Sequence, residues 1–261
     1  MKNLTLRLIQ AICRDGDRAA NLERALAAIE VARGQADLLV LPETYLHGFP
    51  SADNVAELAE TLDGPSLTAV RAAARSAGVA VAIGLAERRN GRFFNSAVLI
   101  DADGEIALHY SKTHLYLSDQ GVFERGDAFP VVEWRGIRLG LLICFDIEFP
   151  ETARALARQG AELIVVLDGN MQPYGRVHRM AVPMRAMENQ LFVAMCNRVG
   201  PGDGYTFCGE SQVADPYGNS LALGSSTAEQ IIDITLDLEQ LKAARAEYDY
   251  LALALQPGLP R

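Results

Sequence analysis

The sequence is short of positive charge. Its 24 Lys and Arg are outnumbered by 33 Asp and Glu, giving a net charge of −9, and basic residues never run longer than two. Phosphate neutralisation needs a cationic surface, so this balance argues against a nucleic-acid partner and for a small-molecule one. Cysteine is scarce too. Cys13, Cys144, Cys196 and Cys208 form no CxxC and stand at no zinc-ligand spacing from a histidine, which weakens both metal-site and disulfide-framework readings. No apolar run approaches the ~18 residues of a membrane span. The amino terminus carries Arg7 where a signal peptide would be apolar, and the expectation is a cytoplasmic protein without an export signal. Nucleotide, flavin and metal motifs are lacking, so no cofactor is expected. With no Pro/Gly/Ser linker and no break in composition, residues 1–261 read as a single domain.

What the sequence does have is apolar residues, 49% of the total, spread in short runs as a compact chain requires. Leu4 to Leu8 alternates as a strand, and Leu22, Leu26 and Ile29 recur at helical spacing up to Gly34. Ala36 to Leu41 is a nearly unbroken apolar run closed by Pro42 and followed by Glu43, the pattern of a strand buried on both faces. A helix from Ser66 as N-cap to Gly78 as stop, then a strand Val79–Leu85, come next. Asn90-Gly91 and Asp103-Gly104 mark hairpin turns, so the middle is expected to be antiparallel. Further on, strands are expected over Ile137–Cys144, Leu163–Leu167, Leu191–Cys196, Ser211–Ala214 and Glu229–Thr235. Helices are expected over Pro150–Arg158, over Arg176–Glu188 with Pro183 starting or interrupting it, and over Leu238–Tyr250. Ala36 to Glu43 is echoed by Ala161 to Asp168, each copy preceded by Arg-Ala-Leu-Ala. Two related halves in one α/β fold, with sheets packed on each other under helices, follow from that echo.

The strand ending at Ile143 delivers Cys144 to its carboxyl end and turns at once through Phe145 to Pro150 toward a helix. Such a position aims a sulfur and the next backbone N–H into one pocket, as acyl transfer through a thioester requires. A buried packing cysteine is the alternative. Three motifs decide between them: Leu-Pro-Glu at 41–43, Tyr-Ser-Lys-Thr-His-Leu at 110–115, and Ile-Cys-Phe-Asp-Ile-Glu-Phe-Pro-Glu at 143–151. Together with Phe123 to Asp127, Glu188-Asn189-Gln190 and Cys196 to Gly200, they resemble the nitrilase superfamily of carbon–nitrogen hydrolases over almost the whole chain.

The resemblance implies a four-layer α-β-β-α sandwich and a Glu-Lys-Cys triad at Glu43, Lys112 and Cys144. Glu43 is then the base, and Lys112 with the backbone N–H of Phe145 supplies the oxyanion donors. Hydrolysis of a small carboxamide to acid and ammonia is the implied reaction, with a nitrile or N-carbamoyl substrate as the alternative and a non-catalytic binding or regulatory member as a different class. A homodimer or larger assembly is implied by analogy. Many members carry a second glutamate about seven residues after the lysine; here Asp119 takes that place, with Glu124 the other candidate carboxylate. Asp168, at the strand end that echoes Leu-Pro-Glu, is read as a contact for an amine on the substrate or as a helix cap. His114 is read as structural, and His47, His109 and His178 find no partner from spacing alone.

Overall fold

The computed structural model describes residues 2–253. The chain opens with β1 (Asn3–Gln10), α1 (Arg18–Val31), β2 (Leu38–Val40), α2 (Val55–Leu58) and α3 (Pro65–Ala77), then the antiparallel run β3 (Ala80–Arg89), β4 (Arg92–Ile100) and β5 (Ile106–Ser111). The second half holds β6 (Val131–Trp134), β7 (Ile137–Ile143), α4 (Pro150–Arg158), β8 (Leu163–Asp168), α5 (Gly175–Asn189) and β9 (Phe192–Asn197). It closes with β10 (Val199–Gly202), β11 (Tyr205–Cys208), β12 (Gln212–Ala214), β13 (Ser220–Leu223), β14 (Gln230–Asp237), α6 (Glu239–Ala244) and α7 (Tyr250–Leu253).

Two six-stranded sheets result, ordered β14-β1-β2-β3-β4-β5 and β6-β7-β8-β9-β12-β13. In each, an antiparallel edge strand is followed by three parallel strands and then two antiparallel ones. The echoed segments become β2 and β8, the same position in the two sheets, so the repeat read in the sequence is a repeat of topology. Both strands are buried along their whole length, as parallel strands covered on both faces must be. The sheets face each other across a core that includes Leu6, Leu8, Leu99, Leu141 and Val165, while α1 and α3 cover the first sheet through Ile29, Leu67 and Val70. On the other side α4 and α5 cover the second sheet through Leu156 and Val182. This is the four-layer α-β-β-α sandwich. Each fully buried Leu, Ile or Val adds about 1.5–3 kcal/mol relative to exposure.

Three local expectations are corrected. Ser66 is not the N-cap of α3: Gly64 takes that position, and Ser66 donates its N–H and hydroxyl to the buried Glu60 carboxylate at 2.9 and 3.0 Å. A carboxylate at the helix start serves the free N–H groups better than a hydroxyl does. Pro183 neither starts nor breaks α5 but lies inside it, where Ala181, Val182, Arg185 and Ala186 bury one face and outweigh the lost hydrogen bond. The last helix is two pieces, because the Gln190 side chain draws the chain between them inward. Its Nε2 donates to the carbonyls of Ala244 and Tyr248 at 2.6 and 3.0 Å, and its Oε1 accepts from Tyr250 N at 2.9 Å.

Candidate active site

The carboxyl ends of β2, β5, β7 and β8 converge on one pocket of about 350 Å³, whose walls include Glu43, Lys112, Asp119, Cys144, Phe145 and His178. Cys144 is the first residue after β7 and adopts φ +44°. A non-glycine residue in the left-handed region stores about 1–3 kcal/mol of strain, sustained by the surrounding packing. Burial raises the thiol pKa well above its usual value, the charges of Glu43 and Asp168 add to that, and Lys112 opposes it. The resting sulfur is therefore protonated, and a nucleophile has to be made by removing its proton.

Glu43 lies just beyond β2, in a segment that crosses β3 closely: a Cβ on Gly84 would sit 2.4 Å from Thr44 N and 2.7 Å from the Pro42 carbonyl. The carboxylate is fully buried. Its Oε1 accepts from Lys112 Nζ and Asn95 Nδ2, both at 2.7 Å, while Oε2 has no partner among the described residues. A Cβ on Gly169 would approach Oε2 to 2.5 Å, so glycine there leaves the free oxygen uncrowded. Burial raises the Glu43 pKa against the opposing charge of Lys112. Lys112 Nζ also donates to Asp119 Oδ2 at 2.7 Å. Burial disfavours its charge, but Asp119 and Glu43 outweigh burial and hold its pKa well above the ordinary value. Asp119, then, meets the lysine across a short turn. Glu124 does not: it is exposed and pairs through its backbone N–H with the Phe93 carbonyl. Asn95 carried no signal in the sequence, because a single asparagine on a strand has no spacing partner.

A second ionic group lies opposite. His178, on α5, places Nδ1 3.0 Å from Asp168 Oδ2 and Nε2 3.1 Å from Glu148 Oε1. Burial disfavours the imidazolium, yet the two carboxylates raise the His178 pKa to about 9. Both ring nitrogens then act as donors. One ligand atom each from Cys144, Asp168 and His178 lies within 4.8 Å of the others, a spacing that suits a metal ion. Both ring nitrogens of His178 are already taken up by Asp168 and Glu148, however, and the hydrogen bonds describe an ion-paired histidine. Asp168 is fully enclosed: Oδ1 accepts from Gly169 N at 2.9 Å, Oδ2 pairs with His178, and its carbonyl accepts from Glu43 N at 3.3 Å. Its side chain serves Gly169 and His178 rather than a helix start, and no substrate amine reaches it without displacing His178. Sequence spacing could not find His178, ten residues from one partner and thirty from the other.

The turn after β7 is held by a buried carboxylate that the motifs alone did not single out. Asp146 accepts from Tyr110 OH at 2.7 Å, from Thr113 Oγ1 and His114 N at 2.9 Å, and from Ile143 N at 3.1 Å. Its side chain thus ties the segment bearing Lys112 to the turn bearing Cys144. His114 stacks on Phe149 at 4.0 Å and bonds Asp146, a structural place. His47 accepts from Ala86 N, and His109 pairs with Glu87. Cys13, Cys196 and Cys208 are buried and unpaired.

The carbon–nitrogen hydrolase family model matches residues 5–246. The chain belongs to that family. This carbon–nitrogen hydrolase is 52% identical over 250 residues to an (R)-stereoselective amidase from Pseudomonas sp, covering 95% of this chain and 90% of that protein. It is 33% identical to the 2-oxoglutaramate amidase of Bacillus subtilis, covering 92% and 93%. Its fold matches a mutant amidase from Nesterenkonia sp. AN1 with a TM-score of 0.85 at 30% identity, covering 94% of each chain; in that structure the acetamide moiety of fluoroacetamide is covalently added at the active site cysteine. The hydrolase is a nitrilase-superfamily enzyme acting on non-peptide carbon–nitrogen bonds. Among the described residues, no helix is long and apolar enough to cross a membrane.

Proposed function

We propose that this hydrolase converts a small carboxamide to the acid and ammonia through a thioester on Cys144, with Glu43 as the proton carrier and Lys112 as an oxyanion donor. The single observation that carries this reading is the unpartnered, fully buried Oε2 of Glu43 in the pocket that also holds Cys144. A protonated thiol needs a base, and an orphan carboxylate oxygen beside it is unstable until it takes a proton. Attack on the amide carbon passes the sulfur proton to Glu43 and makes a tetrahedral oxyanion. Lys112 has three N–H donors, of which Glu43 and Asp119 take two, leaving one for that oxygen. The N–H of Phe145, in the first turn after Cys144 where no intrahelical acceptor exists, is the second donor. Glu43 then protonates the leaving ammonia and activates the water that cleaves the thioester.

The reading is tested by partitioning. Hydroxylamine should divert the acyl-enzyme to a hydroxamate, and mass spectrometry of a slow substrate should place the acyl group on the peptide containing Cys144. An adduct on any other residue overturns the assignment. Labelling of Cys144 by iodoacetamide that depends on Glu43, and is lost in Glu43→Gln, separates a catalytic member from a binding one. A homodimer through α5 completes the proposal. Val177, Met180 and Met184 expose apolar side chains there, and light scattering reads the mass. Four unpaired cysteines suit a reducing compartment such as the cytoplasm.

A further inference from the structure

The pocket is acidic in a way the reaction does not use. Four carboxylates, Glu43, Asp119, Glu148 and Asp168, share two cations, Lys112 and His178, and each cation is held between two of them. Three of the four are closed off at 0–2% side-chain exposure, whereas Glu148 is 29% exposed and forms part of the pocket wall. Arg185, the nearby third cation, donates to the Glu148 carbonyl and to Glu188 and leaves the Glu148 carboxylate alone. The same pocket is lined by Phe49, Leu115, Tyr116, Phe145, Met171 and Tyr174, which give it a largely apolar wall beside Cys144 and Glu148. A short methylene chain fits such walls.

We propose, building on the amidase reading, that the substrate is a small carboxamide whose acyl chain ends in a protonated amine, and that Glu148 recognises that ammonium. The amide sits at Cys144, the methylenes lie along the apolar wall, and the ammonium meets Glu148, the pocket-lining carboxylate that is partly exposed while Glu43 and Asp119 are closed off. An acyl chain ending in a carboxylate finds no counterpart, because both cations lining the pocket are already engaged. The specificity of the Bacillus subtilis relative for a substrate that carries a carboxylate is thus not expected of this chain.

Ammonia release at pH 7 from three isosteric pairs tests this: glycinamide against propanamide, 3-aminopropanamide against butanamide, and 4-aminobutanamide against pentanamide, with succinamate as the anionic probe. At least one amine-bearing member should exceed its neutral partner in kcat/KM by about tenfold to a hundredfold, the size of a charge-assisted hydrogen bond, and succinamate should be the poorest. Glu148→Gln keeps an acceptor for His178 and removes only the charge, so the amine-to-neutral ratio should fall to near unity. Glu148→Asp keeps the charge but retreats by one methylene, and should move the best chain length upward. A wild-type ratio at or below one in all three pairs overturns the preference while leaving the amidase reading intact. A ratio untouched by both Glu148 variants overturns the assignment to Glu148. No ammonia from any of the amides overturns the amidase reading and this inference with it.

Discussion

Two cations lie in the same pocket, each between two carboxylates, and they differ in what they leave open. Around Lys112 everything is closed, with Lys112, Glu43 and Asp119 at 2% side-chain exposure or less. Around His178 one carboxylate, Glu148, faces the cavity. Lysine has a third donor to spare, whereas both imidazole N–H groups are spent on carboxylates. The Lys112 group can therefore act on a developing charge, and the His178 group can present a fixed one. Equal charge patterns serve different ends according to which atom remains unengaged.

The largest effect should come from the residue lying between the groups. Cys144→Ala removes the sulfur and breaks neither ion-paired set, so ammonia release should vanish while circular dichroism and the thermal midpoint stay near wild type. Retained turnover would sink the nucleophile assignment. Next come the members of the closed set. Glu43→Gln keeps the shape and loses the base, and should be inactive with an intact fold. Lys112→Ala leaves two buried carboxylates without a cation, which should cost about 3–5 kcal/mol of stability and about 10²–10³ in rate. Urea titration and steady-state kinetics separate the two losses.

His178 sharpens the comparison through pH. Its folded pKa is raised to about 9 from 6.5, so the stability it confers is full below the unfolded value and is lost as pH rises through the folded one. His178→Gln is neutral throughout. A tenfold gain in proton affinity on folding is worth about 1.4 kcal/mol, so the stability difference between wild type and this variant should be about 3 kcal/mol near pH 6. It should shrink steadily toward pH 9.5 in urea titrations. A difference that grows with pH would show that the imidazolium is not the stabilising form.

The smallest effect belongs to another buried carboxylate, Asp146, whose partners include hydroxyls and backbone N–H groups. Tyr110→Phe removes one donor at 2.7 Å and should cost about 1.5–3 kcal/mol in stability. Its effect on kcat/KM should be smaller than that of any change in the Lys112 set. Equal losses would mean that the Asp146 link, and not Lys112, sets the position of the nucleophile.

The readable parts of this molecule were those with local causes. Asn90 and Gly91 both take positive φ, as the dipeptide implied, and Gly78 ends α3 in the left-handed conformation. The parallel strands were visible as apolar runs, since burial on both faces leaves no alternation to mask them. The helix over Leu238–Tyr250 failed because Gln190, far back in the chain, competes for its backbone groups. No window around the helix contains that information. β6, β10, β11 and β13 were missed for a similar reason: they are four-residue strands whose pairing partners, not their own pattern, make them extended.

The same division holds at the site. By itself the sequence determined the residue types at the ends of β2, β5 and β7, and through the echo of β2 in β8 it determined that a second acid stands at the matching strand end. These are properties of segments, encoded in a few consecutive residues. Only the tertiary structure decided that Asp119 and not Glu124 meets Lys112, that Asn95 shares Glu43 with it, and that Asp168 is turned to His178 while Glu148 faces the cavity. The physical reason is that a buried charge takes the nearest partner in space. Nearness here is set by packed sheets and helices, which bring together residues from seven to sixty-nine positions apart.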